Sequence, residues 1–80
     1  MNDSEILGSI DSMMQEEHEL LKAGEHGGLT PEQAARLNTI KVHLDQCWDL
    51  LRQRRARREF GMNPDEAATR DANTVEHYKA

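Results

Sequence analysis

This 80-residue sequence predicts an all-α fold: an antiparallel helical hairpin with a long second helix, paired into a homodimeric four-helix bundle and followed by a partly ordered C-terminal tail. Three observations lead there. Apolar residues recur at helical spacing in two separate stretches. A glycine-bearing break divides them. A proline-containing capping signal then starts the second stretch.

Residues 1–4 supply N-cap candidates, and Asp3 and Glu5 sit near the positive end of the helix that follows. Ile6, Leu7, Ile10, Met13, Met14, Leu20 and Leu21 then mark one face of a first helix, expected over about 3–24. Glu17 interrupts that face and reads as a flank position reaching water. Gly24, Gly27 and Gly28 form the connector. Thr30, Pro31 and Gln33 make an N-cap, a first-turn proline and a capping-box partner, with Leu29 placed to staple onto Ala34. The second helix is expected over about 30–60.

Its seam runs Leu37, Ile40, Leu44, Cys47, Leu51, an alternating 3–4 spacing of coiled-coil type widened by Trp48 and Leu50. The next seam positions are Arg54 and Arg58, so the seam turns cationic. At about 1.5 Å per residue the two helices measure roughly 33 and 46 Å, and the short connector makes them antiparallel. The first helix then runs out near Leu51, leaving the arginine segment overhanging or facing Asp3 and Glu5. Gly61 is a natural helix stop. Residues 1–61 thus form the hairpin and 62–80 an acidic tail. Asn63–Pro64–Asp65–Glu66 is a second capping signal, placing a short helix at 63–69. The remainder lacks periodicity and is read as extended or disordered, with Val75 and Tyr78 as a docking pair.

A chain this short buries a modest share of its surface. A lone two-helix monomer is therefore disfavoured against a homodimer. Its interface is expected at Ile6, Ile10, Met13, Leu37, Ile40, Leu44, Cys47 and Leu51. Three aromatic residues leave little material for an enzyme pocket. No nucleophile–base arrangement or phosphate loop is present, and the expectation is a protein with no catalytic activity and no cofactor. His43 and Cys47 lie four apart, a zinc-compatible spacing, but two ligands do not make a site and no metal is expected. His18, His26 and His77 read as surface residues. Asp45, Asp49 and Arg52 read as an intrahelical ion-pair ladder.

The net charge of −5 argues against nonspecific binding of the whole molecule to nucleic acid or anionic membrane. Its distribution is uneven: −6 over residues 1–26, +3 over 27–60 and −2 over 61–80. Arg52, Arg54, Arg55, Arg57 and Arg58 surround the helix as a collar. One reading pairs them internally with Asp3, Glu5, Asp65 and Glu66. A second makes them, with Trp48, the binding surface for an acidic protein partner, the acidic tail lying on the collar as a competitor. A third is phosphate recognition, of RNA or a nucleotide second messenger, through Arg54, Arg55 and Arg58. The single cysteine excludes an internal disulfide and fits a reduced, cytoplasmic setting. No apolar run approaches the roughly 18 residues of a membrane-spanning helix.

The segment LDQCWDLLRQRRARREFGMNPDEA, residues 44–67, resembles the signature of a family of short actinobacterial proteins catalogued as domain of unknown function 2630. The likeness extends from Ile6 through Tyr78 and includes the EEHEL stretch at residues 16–20. It implies an actinobacterial cytosolic protein and brings no assigned activity.

Overall fold

The computed structural model describes residues 2–76. The first helix, α1, spans Asp3–Ala23. Asn2 is its N-cap, accepting a hydrogen bond from the Glu5 amide at 2.8 Å, while the Glu5 carboxylate accepts one from the Asn2 amide at 3.0 Å. This reciprocal box satisfies two of the donors that a helix start leaves open. It also turns Glu5 back onto its own helix end, away from the arginines that the charge pattern offered it.

The chain reverses at residues 24–30. Gly24 is right-handed, with φ −82°, so its requirement is space. A Cβ there would approach Leu29 Cδ2 to 2.9 Å, because Leu29 folds back against the end of α1. The second helix, α2, spans Pro31–Glu59. Thr30 and Gln33 cap it reciprocally, with bonds of 3.1 and 2.9 Å, and Pro31 opens it. It stops in a Schellman motif. Gly61 takes φ 71°, its amide bonds Arg58 O at 3.2 Å, and the Met62 amide bonds Arg57 O at 2.7 Å.

The tail then doubles back along α2. A 3₁₀ turn covers Pro64–Glu66, and a short third helix, α3, spans Ala72–Glu76. Helix α3 lies where the sequence offered no periodicity. Asp71 starts it, its carboxylate accepting from the Thr74 amide at 2.8 Å and its carbonyl from the Val75 amide at 3.2 Å. This cap lowers the Asp71 pKa below the usual carboxylate range. The short helix buries Val75. Tyr78, the other half of the expected docking pair, and His77 lie outside the described residues.

The hairpin core consists of Ile6, Ile10 and Leu50, with Leu44, Cys47, Leu51 and Ala67 packed against them. Leu37 and Ile40 are also buried. The residues expected at a dimer interface fall within this packing. Ile6, Ile10, Leu37 and Ile40 are covered within one chain, and Met13, Leu44, Cys47 and Leu51 are half-buried. The seam of α2 is filled by α1 of the same molecule, and those residues close the hairpin. About half of the surface of Leu7, Met14 and Leu21 stays exposed, as does 44% of Trp48.

Candidate functional site

The arginine end of the hairpin is where α1, α2 and the tail converge. The N-cap box places Asp3 in the first turn of α1, beside the cationic continuation of the α2 seam. Asp3 Oδ1 accepts from Arg54 Nε, and Asp3 Oδ2 from Arg58 Nη2 at 2.9 Å. The other side of the Arg54 guanidinium donates through Nη1 to Pro64 O at 3.2 Å and to Asp65 at 3.1 Å. One buried arginine therefore joins Asp3 at the start of α1, 51 residues away in sequence, to the start of the tail. Arg54 and then Arg58 hold the Asp3 carboxyl below the usual carboxylate range, and Asp3 and Asp65 raise Arg54 in return.

The remaining arginines divide. Arg57 pairs with Glu66 at 3.5 Å, and Arg55 with Glu59 one turn on at 3.2 Å. Arg52 Nη2 lies 3.9 Å from Asp49 Oδ1. As a member of the collar Arg54 is misplaced for binding: only 6% of it is exposed, because a seam position faces α1 whatever its charge. The proposed phosphate set of Arg54, Arg55 and Arg58 is likewise dispersed, since Arg54 is interior and Arg58 is bound to Asp3. Trp48 is not part of this end; it lies on a separate flank of the hairpin.

Asp49 departs furthest from its expected place. It is 1% exposed, and beside its intrahelical pair with Arg52 it takes a second cation from the tail. The tail folds over it. Asp49 Oδ2 meets Arg70 Nε at 3.1 Å and accepts from Gln53 Nε2 at 2.9 Å. Gln53 also donates to Ala68 O at 2.8 Å, and Gln46 to Arg70 O at 3.1 Å. Asp49 Oδ1 is buried without a hydrogen bond. These contacts make a polar strap that pins residues 68–70 to α2.

Two concavities are formed by described residues. An open cleft of about 820 Å³ lies between α1 and α2, its surface mostly apolar, from groups including Ile6, Met13, Cys47 and Leu50, with Ser9, Ser12, Glu16, Arg36, His43 and Gln46 among them. Arg36 spans it to Glu16, donating through Nε at 2.6 Å and Nη2 at 2.9 Å, which lowers the Glu16 pKa. Cys47 also lines the cleft, and burial pushes its thiol pKa up, so the thiolate needed for nucleophilic attack or metal binding is disfavoured. Among the described residues no group of three or more His, Cys, Asp or Glu converges.

The second is a shallow cleft of about 250 Å³ at the tip of α2, lined by Gln53, Ala56, Arg57, Phe60, Met62 and Arg70. The Schellman turn creates it by throwing Phe60 and Met62 outward past the helix end. Phe60 is 81% exposed and Met62 52%. Sequence reading passed over both. The signal was there: an aromatic at the helix stop has no seam to enter.

The fold and this end of it define a short all-α hairpin protein, tied by buried ion pairs to its own tail. The chain belongs to the family described as protein of unknown function (DUF2630), which matches residues 2–80. An uncharacterized protein of Mycobacterium tuberculosis (strain H37Rv) is 48% identical over 77 residues, covering 95% of this chain and 88% of its own. An uncharacterized protein of Mycobacterium bovis shows the same identity and coverage. No solved structure is significantly similar. No described helix is long and apolar enough to cross a membrane.

Proposed function

We propose that this protein is a non-enzymatic helical interaction module that binds an acidic, apolar-bearing segment of a protein partner at the tip of α2. The observation that carries this reading is Phe60. It is 81% exposed beside Met62, over a cleft that Arg57 and Arg70 help to line. Aromatic and arginine side chains are the residue types on which binding energy concentrates in protein interfaces. A large ring left in water at the end of a cationic segment suits a partner that supplies both an apolar side chain and carboxylates.

The Arg57–Glu66 pair gives the tail a place in this reading. Glu66 occupies Arg57 as a partner carboxylate would, so the tail competes for one guanidinium while the Arg54 and Asp49 contacts keep it anchored.

The test is fluorescence anisotropy with three labelled probes of equal length: an acidic peptide with interspersed leucines, its basic counterpart, and a single-stranded RNA. Binding of the acidic peptide, weakened at least tenfold by Phe60→Ser and reduced by salt, is the expected result. Preference for RNA with no dependence on Phe60 would transfer the assignment to phosphate recognition. No binding of the acidic peptide above the basic one would refute the proposal.

A further inference from the structure

A second surface, on a different flank of the hairpin, carries an inference independent of the partner site. Leu7, Met14 and Leu21 are spaced seven apart on α1, and each is about half exposed. At about 100° per residue they share one stripe, turned away from the cleft that Ser9, Ser12 and Glu16 line on the other flank. Trp48 occupies the matching flank of α2, turned away from His43, Gln46 and Leu50, with Leu44 and Leu51 half-buried at its edge. The two helices together present one apolar face. Exposed Lys41 and Arg55 lie beside Trp48, whereas the exposed charge along the α1 stripe is acidic at Asp11.

We infer that this face binds a second copy of the chain, with the two hairpins lying in the same direction about a two-fold axis along their length, so that α1 of each rests on α2 of the other. Three features select this occupant and this arrangement. The stripe of α1 matches the spacing of α2. Within one chain, Glu16 lies level with Arg36 and Asp3 with Arg54. The same level in the pair places Leu7 against the partner's Trp48 and the uncovered edge of the partner's Leu51, Met14 against the partner's Lys41 and the uncovered edge of the partner's Leu44, and Leu21 against the partner's Ala34. Charge selects next. Asp11 comes near the partner's Lys41. Stacking α1 on α1 would instead set Lys41 near its own copy and Asp11 near Glu17. Size is the third. The molecule measures 51 × 26 × 17 Å, so its broad side has room for the ~800 Å² that a stable interface buries on each partner. The result is a four-helix bundle whose dimer seam is the Leu7 stripe and Trp48, leaving the Phe60 cleft outside it.

Sedimentation equilibrium of the full chain at about 100 μM separates the outcomes. The expected species has twice the 9.1 kDa chain mass, and Leu7→Gln/Trp48→Gln raises its dissociation constant at least tenfold. Phe60→Ser leaves it unchanged. A wild-type monomer, or a dimer indifferent to the Leu7 and Trp48 changes, overturns the inference. If the double variant loses helical content, cross-linking decides. In a Cys47→Ser background, an equimolar mixture of Leu7→Cys and Trp48→Cys chains should join through a short bismaleimide. Met14→Cys chains joining efficiently to each other, without the Leu7–Trp48 product, would overturn the arrangement.

Discussion

Replacing Arg70 by methionine removes the cation that holds the Asp49 carboxylate. Asp49 is 1% exposed and meets Arg70 Nε at 3.1 Å. Breaking a fully buried ion pair by deleting one partner costs about 3–5 kcal/mol, because the surviving charge is left without compensation. Here the loss is smaller. The Arg70 side chain is 39% exposed, Gln53 continues to donate to Asp49, and Arg52 stands 3.9 Å away. A cost of about 2 kcal/mol follows, which for a domain of this size lowers the Tm by roughly 8–16 °C. Far-UV circular dichroism in a urea series, at one fixed protein concentration, measures it. The informative comparison is the double variant Asp49→Asn/Arg70→Met. Neutralising Asp49 removes the uncompensated charge, so the double variant should regain stability over Arg70→Met by on the order of 1 kcal/mol. A single variant within 0.5 kcal/mol of wild type, or a double variant no better than the single one, would show that the Asp49 charge is not held by the tail. That threshold is about the scatter of surface substitutions.

Three further outcomes follow from the same geometry. The Asp3 carboxyl is held below its ordinary pKa by Arg54 and Arg58, so its contribution is complete above about pH 4 and is lost as pH falls through the lowered folded value; Asp3→Asn should flatten the acid limb of the stability profile, and an unchanged slope would refute the assignment. Gly61→Ala forces a β-carbon into the left-handed conformation at φ 71° and should cost about 1–2 kcal/mol in urea unfolding. Glu66→Gln releases Arg57 from a pair of 3.5 Å and should raise affinity for the acidic peptide severalfold while leaving its preference over RNA intact.

The locally coded parts of this fold were legible. The Thr30–Gln33 capping box, Pro31 and the Gly61 stop act through neighbours within a turn or two, and they bound a long α2. The cationic turn of the seam was legible too, and it led to Asp3. The Asp71 cap that starts α3 was equally local and was overlooked, because a helix of five residues has no room for periodicity.

What the sequence by itself determined is where the chain is helical, where it breaks and which arginines continue the seam, since backbone capping and apolar periodicity are decided within a few residues. Only the tertiary structure decided which residues the antiparallel register brings level. Glu16 meets Arg36 twenty residues away, and Asp49 receives Arg70 from the returning tail. The same register placed Ile6, Ile10, Leu37 and Ile40 of the expected dimer seam in the hairpin's own core and left Leu7, Met14, Leu21 and Trp48 about half exposed. A seam pattern specifies that a face will be covered; the packing of the whole chain specifies by what.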